Sequence, residues 1–224
     1  MPPSTDQLIE RLVASAEPVR RLRPPLLRAT LWLLAIAAAA ALAVPFFADF
    51  HLLAGKLQDG EFIVEMIATL LTGIAAVTAA FYLSLPDRSP LWALLPLPTL
   101  GLWLASSGYN CYREWIGFGP NGWQFGESSD CFVTILGFSV PIGLALFLVL
   151  RRARPIAPLP VAAVGGLGVA ALSAFLLQFN HPIDASFLDL GAHAAAVGIV
   201  VLSASALTRF RRAEPGLARP KPSR

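Results

Sequence analysis

The sequence predicts an all-α, polytopic membrane protein with six transmembrane helices, both termini in the cytoplasm, and a short amphipathic helix ahead of the first span. Three observations predict it. Of 224 residues, 56% are hydrophobic and 14% charged, against roughly 25% charged in an ordinary soluble domain. Too little polar surface remains to coat a water-soluble globule. The apolar residues fall into continuous blocks near the length of about 20 residues that a helix needs to cross a bilayer. The Lys and Arg residues then gather between alternate blocks, which sets the orientation.

The six blocks run roughly over 26–47, 62–83, 91–107, 132–150, 156–178 and 187–208. They are continuous and do not alternate, which argues against a β-barrel. The third is the shortest and contains Pro96 and Pro98, so a kink or a broken helix is expected there. Small residues are dense in the first block (Ala35 to Ala41) and the fifth (Gly165, Gly166, Gly168, Ala171), where they allow close helix packing. With the N-terminus inside, fifteen Lys and Arg residues lie on the cytoplasmic side and only Lys56 and Arg113 on the other. The chain divides into a cytoplasmic leader over 1–25, a membrane domain over 26–208 and a basic cytoplasmic tail over 209–224. The polar, partly acidic first 23 residues do not read as a cleavable signal peptide. The net charge of +3 follows the membrane edges and not one face of a soluble domain, so no direct contact with nucleic acid is expected.

The leader carries a pattern. Ser4 and Gln7 fit a capping box that starts a helix near Thr5. Leu8, Ile9, Leu12, Val13 and Ala16 fall on one face, with Asp6, Glu10 and Arg11 largely on the other. Pro18 ends the helix, and Pro24 and Pro25 precede the first span. A helix of about 12 residues is marginal alone, so its apolar stripe needs a surface. That surface is its own bundle, the lipid interface or a soluble partner.

The longest outer loop, about Gly108 to Asp130, is bracketed by Cys111 and Cys131, the two cysteines of the chain. In a Gram-negative cell that side is the oxidising periplasm. A structural disulfide, a redox- or metal-responsive switch and two free thiols all fit this spacing, which does not show whether the sulfurs meet. Near the outer leaflet lie Glu65 and, one turn apart in the sixth block, Asp189 and His193, with His181 and Asp184 in the loop before them. Ionisable groups in a membrane are costly and are paired or functional. Asp189 with His193 reads as a structural pair or as part of a proton- or metal-sensing cluster. No ligand spacing supports a zinc site from His181, His193 and a cysteine, and no metal or other cofactor is expected. No phosphate-binding loop, nucleophile elbow or zinc-protease motif occurs, and the chain does not read as an enzyme.

Several segments in order along the chain carry a resemblance. They are Thr5-Asp6-Gln7-Leu8-Ile9-Glu10-Arg11-Leu12 with Pro18-Val19-Arg20-Arg21-Leu22-Arg23-Pro24-Pro25, Ser84-Leu85-Pro86-Asp87-Arg88, Arg151-Arg152-Ala153-Arg154-Pro155, and His181-Pro182-Ile183-Asp184 leading to His193. With the paired outer cysteines, the chain resembles the six-pass bacterial inner-membrane proteins that are negative regulators of an extracytoplasmic-function sigma factor of the sigma-F type. It departs from that pattern at His181, where a cysteine is frequent, and at Ala192, where a tryptophan is.

The resemblance implies an anti-sigma factor. Its cytoplasmic partner is the sigma factor, bound through Asp6, Leu8, Ile9, Leu12, Val13, Arg20 and Arg21. Cys111 and Cys131 sense an oxidant or heavy-metal signal in the periplasm, and Glu65, Asp189, His193 and His181 are candidate coupling groups. Two other readings stand beside it. A membrane thiol oxidoreductase suits the cysteines but lacks a second pair or a C-x-x-C spacing. A small proton-coupled transporter suits the intramembrane polar groups but lacks an inverted repeat.

Overall fold

The computed structural model describes residues 4–15, 22–118, 125–180, 195, 198–203 and 206. Every regular element among them is helical, and five segments are long and apolar enough to cross a membrane: Pro25–Phe47, Gly60–Leu83, Pro90–Tyr109, Val133–Ala153 and Pro158–Leu177. The protein is an all-α polytopic membrane protein. These five correspond to the first five expected blocks. The sixth lies mostly outside the described residues, of which 198–203 are helical.

The leader helix α1 (Thr5–Ala14) starts as expected. The Ser4 hydroxyl accepts from the Gln7 amide, and the Gln7 side chain accepts from the Ser4 amide. It ends at Ser15, short of Pro18, where the Ser15 hydroxyl donates to the Leu12 carbonyl and competes with helix continuation. Helix α2 (Pro25–Phe47) opens on proline, whose missing N–H costs nothing at a first turn. The outer connection that follows is not a plain loop. Asp49 accepts from the His51 and Leu52 amides and caps a short helix α3 (Phe50–Lys56). Asp59 repeats the device at Glu61 and starts α4 (Gly60–Leu83).

The third span is broken, as Pro96 and Pro98 predict. A 3-10 segment (Pro90–Leu94) precedes α5 (Leu97–Phe118), and both prolines sit at the junction, where the first turn needs no amide donors. Helix α5 also runs well past residue 107. No proline lies between Pro98 and Pro120, and Tyr109, Tyr112 and Ile116 continue the helix, so most of the expected outer loop is helical. Helix α6 (Phe125–Leu150) likewise begins seven residues early. A 3-10 turn (Arg151–Ala153) and a left-handed Arg154, φ 47°, reverse the chain into α7 (Pro158–Leu177).

Helix α7 is the centre of the bundle. It packs most closely on α4, then on α6, while α5 and α2 lean on α4. Glycine makes the α4–α7 contact possible: a Cβ on Gly168 would stand 2.9 Å from the Val77 backbone nitrogen, and one on Gly73 would stand 2.8 Å from Leu172 side-chain atoms. Lipid tails are as apolar as leucine, so such close packing, and not burial from water, holds spans together. Val77, Ala80, Phe81, Ile142, Leu146, Val169, Leu172 and Leu176 fill the core. Inside it, the Ser139 hydroxyl donates to Ser173 at 3.0 Å, which donates to the Val169 carbonyl.

Candidate functional site

Two ends of the bundle carry its polar chemistry. At one end the start of α2, the end of α4 and the end of α6 converge. The Arg28 guanidinium lies 5.2 Å from the Phe81 ring centre and donates through Nη2 to the Val149 carbonyl at 3.3 Å. The last carbonyls of a helix have no partner within it, and a cation there satisfies one of them. Nearby, Tyr82 stacks on Trp92 at 3.8 Å, and Arg88 lies over Tyr82 while pairing with Asp87 at 3.5 Å. Arg151, Arg152 and Arg154 belong to the same end. This is the basic end of the molecule.

At the opposite end α4, α5 and α7 meet. The Ser107 hydroxyl donates to the Glu65 carboxylate at 2.6 Å, and the Glu65 carbonyl accepts from Thr69. The Gln178 amide reaches Thr69 at 3.5 Å, while its Oε1 is buried without a donor among the described residues. Glu61 pairs with Arg113 of α5. That hydrogen bond and the carboxylate charge hold the arginine pKa above its ordinary value, so the guanidinium stays charged at any physiological pH. Glu61 and Glu65, one turn apart on α4, thus strap α5 at two heights. A shallow groove lined by Asp59, Glu61, Leu102, Ser106 and Tyr109 runs beside them. The Asp49 amide donates to the Phe179 carbonyl and ties the end of α2 to the end of α7. Lys56 is 2% exposed, its ammonium 5.2 Å from the Phe62 ring.

Glu65 is therefore brought into a three-helix polar layer. Cys111 lies one turn beyond Ser107 along α5, and Cys131 lies in the second turn of α6. Both stand on helical backbone at this end, and their side chains lie outside the described set. His181, Asp189 and His193 also fall outside the described residues, as do Arg20 and Arg21. Among the described residues no cluster of three or more metal-ligating side chains occurs.

The third feature is α1. All of its residues are exposed, including Leu8 at 49% and Val13 at 70%. Asp6 occupies its first turn. The stripe of Leu8, Ile9, Leu12 and Val13 is not covered by the described part of the bundle.

Reading the residues alone overlooked Arg28, Glu61, Ser107 and Gln178. Arg28 was legible only as topology charge, and its carbonyl partner requires the α6 terminus in space. Glu61 and Glu65 at i, i+4 were a visible sign that one face of α4 is acidic. Ser107 and Gln178 carry no pattern that marks a partner 42 or 109 residues away.

The family model described as negative regulator of sigma F (NrsF) matches residues 12–212, nearly the whole chain. No curated protein and no solved structure matches.

Proposed function

Since the chain belongs to the family of negative regulators of sigma F, we propose that it is an anti-sigma factor that sequesters an extracytoplasmic-function sigma factor at the bacterial inner membrane. It releases the factor when a redox or heavy-metal signal reaches Cys111 and Cys131 on the periplasmic side. The observation that carries the docking part is the leader helix. It is capped at Ser4, amphipathic and exposed along Leu8, Ile9, Leu12 and Val13, and a helix this short gains little stability in isolation. The family match begins at Leu12, so assignment of the docking face to Asp6, Leu8, Ile9, Leu12 and Val13, continued by Arg20 and Arg21, rests on the helix itself.

The orientation proposed is N-in and C-in, with six spans. Arg28, Arg88 and the Arg151–Arg154 turn share one end of the bundle, and Lys56 and Arg113 lie at the other, in keeping with the positive-inside rule. The two cysteines then face the periplasm, and the leader meets the cytoplasm. A signal moves such a switch only by favouring one of its two states. Oxidation or metal capping of thiols at the ends of α5 and α6 is a differential event of that kind.

The test is purification of the tagged full-length protein from its host in mild detergent, with mass spectrometry of what accompanies it. A sigma factor enriched with the intact chain, and lost when residues 1–23 are deleted, is the expected result. Absence of any sigma factor under several gentle conditions, with and without reductant, would overturn the reading.

A further inference from the structure

Helix α6 links the two ends of the bundle. Cys131 lies near its start and Val149 in its last turn, 18 positions apart, or about 27 Å along a helix. Midway, α6 is pinned to α7 by the buried Ser139–Ser173 hydrogen bond. Pro141 follows two residues later inside the helix and offers no N–H to the Gly137 carbonyl. A bend point therefore sits beside the pin. At the far end of this lever, the Val149 carbonyl is gripped by Arg28. Arg28 stands one turn inside α2, directly after the Pro24-Pro25 junction that joins α2 to the leader.

The grip is incompletely satisfied. Arg28 Nη1 and Trp32 Nε1, one turn apart on α2, are buried donors without an acceptor among the described residues. Trp32 is itself 6% exposed. Buried donors are nearly always paired. The unmet Nη1 belongs to the same guanidinium that holds Val149, so a tilt of α6 about its pin would offer it a different last-turn carbonyl. A bistable contact of this type is what converts a small displacement into a switch.

We infer that Arg28 is a positioning residue of the switch: its hold on the Val149 carbonyl, seated on Phe81, couples the tilt of α6 to the leader that carries α1. The inference rests on the sequestration reading above. The state in which Arg28 holds Val149 is the docking-competent one.

The experiment is a sigma-dependent transcriptional reporter in the host, without added stimulus, with the full-length protein at matched membrane levels. Arg28→Met keeps the length and apolar stem of the side chain but removes every donor. It is expected to raise unstimulated reporter activity about fivefold or more. Arg28→Lys, which still donates to a carbonyl, returns it close to the wild-type level. A purely structural role would instead lower the amount of protein in the membrane. Phe81→Met removes the aromatic seat, keeps most of its volume and shifts the reporter in the same direction by less, and it decides the matter if Arg28→Met fails to accumulate. A Leu8→Asp, Leu12→Asp double variant is the control for docking. Unchanged reporter activity in the Arg28 and Phe81 variants, beside strong derepression in the double variant, overturns the latch alone. A silent double variant overturns the docking reading and this inference with it.

Discussion

Helices α2 and α7 are close in composition, both rich in alanine and leucine and nearly equal in hydropathy over their spans. Their surroundings are opposite: 61% of the α7 span is buried and 6% of the α2 span. In α2 burial is confined to Pro25, Ala29 and Trp32 at the basic end, and Leu42 and Phe46 are exposed. Hydropathy places a helix in lipid but does not choose its neighbours, because lipid solvates an apolar side chain as well as protein does. The choice is made by shape. Helix α7 carries glycine where α4 presents Val77 and Ala80, so the two backbones approach closely. Helix α2 offers alanines along its exposed length, with no matched ridge described against most of them.

The largest break in this comparison comes at the tightest contact. Gly168→Ala drives a methyl group against the Val77 backbone nitrogen, which no rotamer change relieves. It is expected to destabilise the bundle by about 3 kcal/mol, at the upper part of the usual overpacking range, read as a lower midpoint of denaturant unfolding in detergent. Gly73→Ala meets a leucine side chain and is expected to cost less, about 1–2 kcal/mol. Gly165→Ala, with its nearest atom at 3.4 Å, should be tolerated. Equal effects at the three sites would show that glycine acts here through helix propensity and not through close approach.

Ser139→Ala comes next. It removes one buried interhelical hydrogen bond and leaves Ser173 bonded to Val169, so the expected loss is about 0.6–1 kcal/mol. On α2, Ala38→Leu should change stability by less than about 0.5 kcal/mol. A large effect there would mean that the Ala face of α2 is a helix contact after all.

Much of the fold was legible because its signals are local or periodic. The block at 62–83 needs only a run of apolar residues. The capping box at Ser4 and Gln7 and the prolines at 96 and 98 act within a single turn, and the structure places the expected cap and break there. The part that was not legible depends on partners distant in sequence. Gly165, Gly166 and Gly168 announced close packing, but nothing in them named α4 as the neighbour. The extension of α5 to Phe118 was hidden by glycines and aromatic residues that read as loop. The site was less legible than the fold: Glu65 stood out as a charge inside a span, whereas Ser107 gave no sign that it binds Glu65.

Helix α5 offers a third way of joining a bundle, and there too the expected effects are small. Most of the third span, Pro90–Tyr109, is exposed within the described protein, so α5 is not embedded like α7. It is strapped to α4 by Ser107–Glu65 and Arg113–Glu61. Ser107→Ala removes one polar strap and is expected to lower stability by about 0.5 kcal/mol, the typical worth of a side-chain hydrogen bond between membrane helices. Glu65→Gln keeps an acceptor for the Ser107 hydroxyl and should change stability less still. Exposed ion pairs contribute little, so Arg113→Gln is expected to leave the unfolding midpoint where it is. If Ser107→Ala instead matched Gly73→Ala, polar strapping would rank with close packing as a means of holding this bundle, and the contrast between α2 and α7 would no longer rest on shape alone.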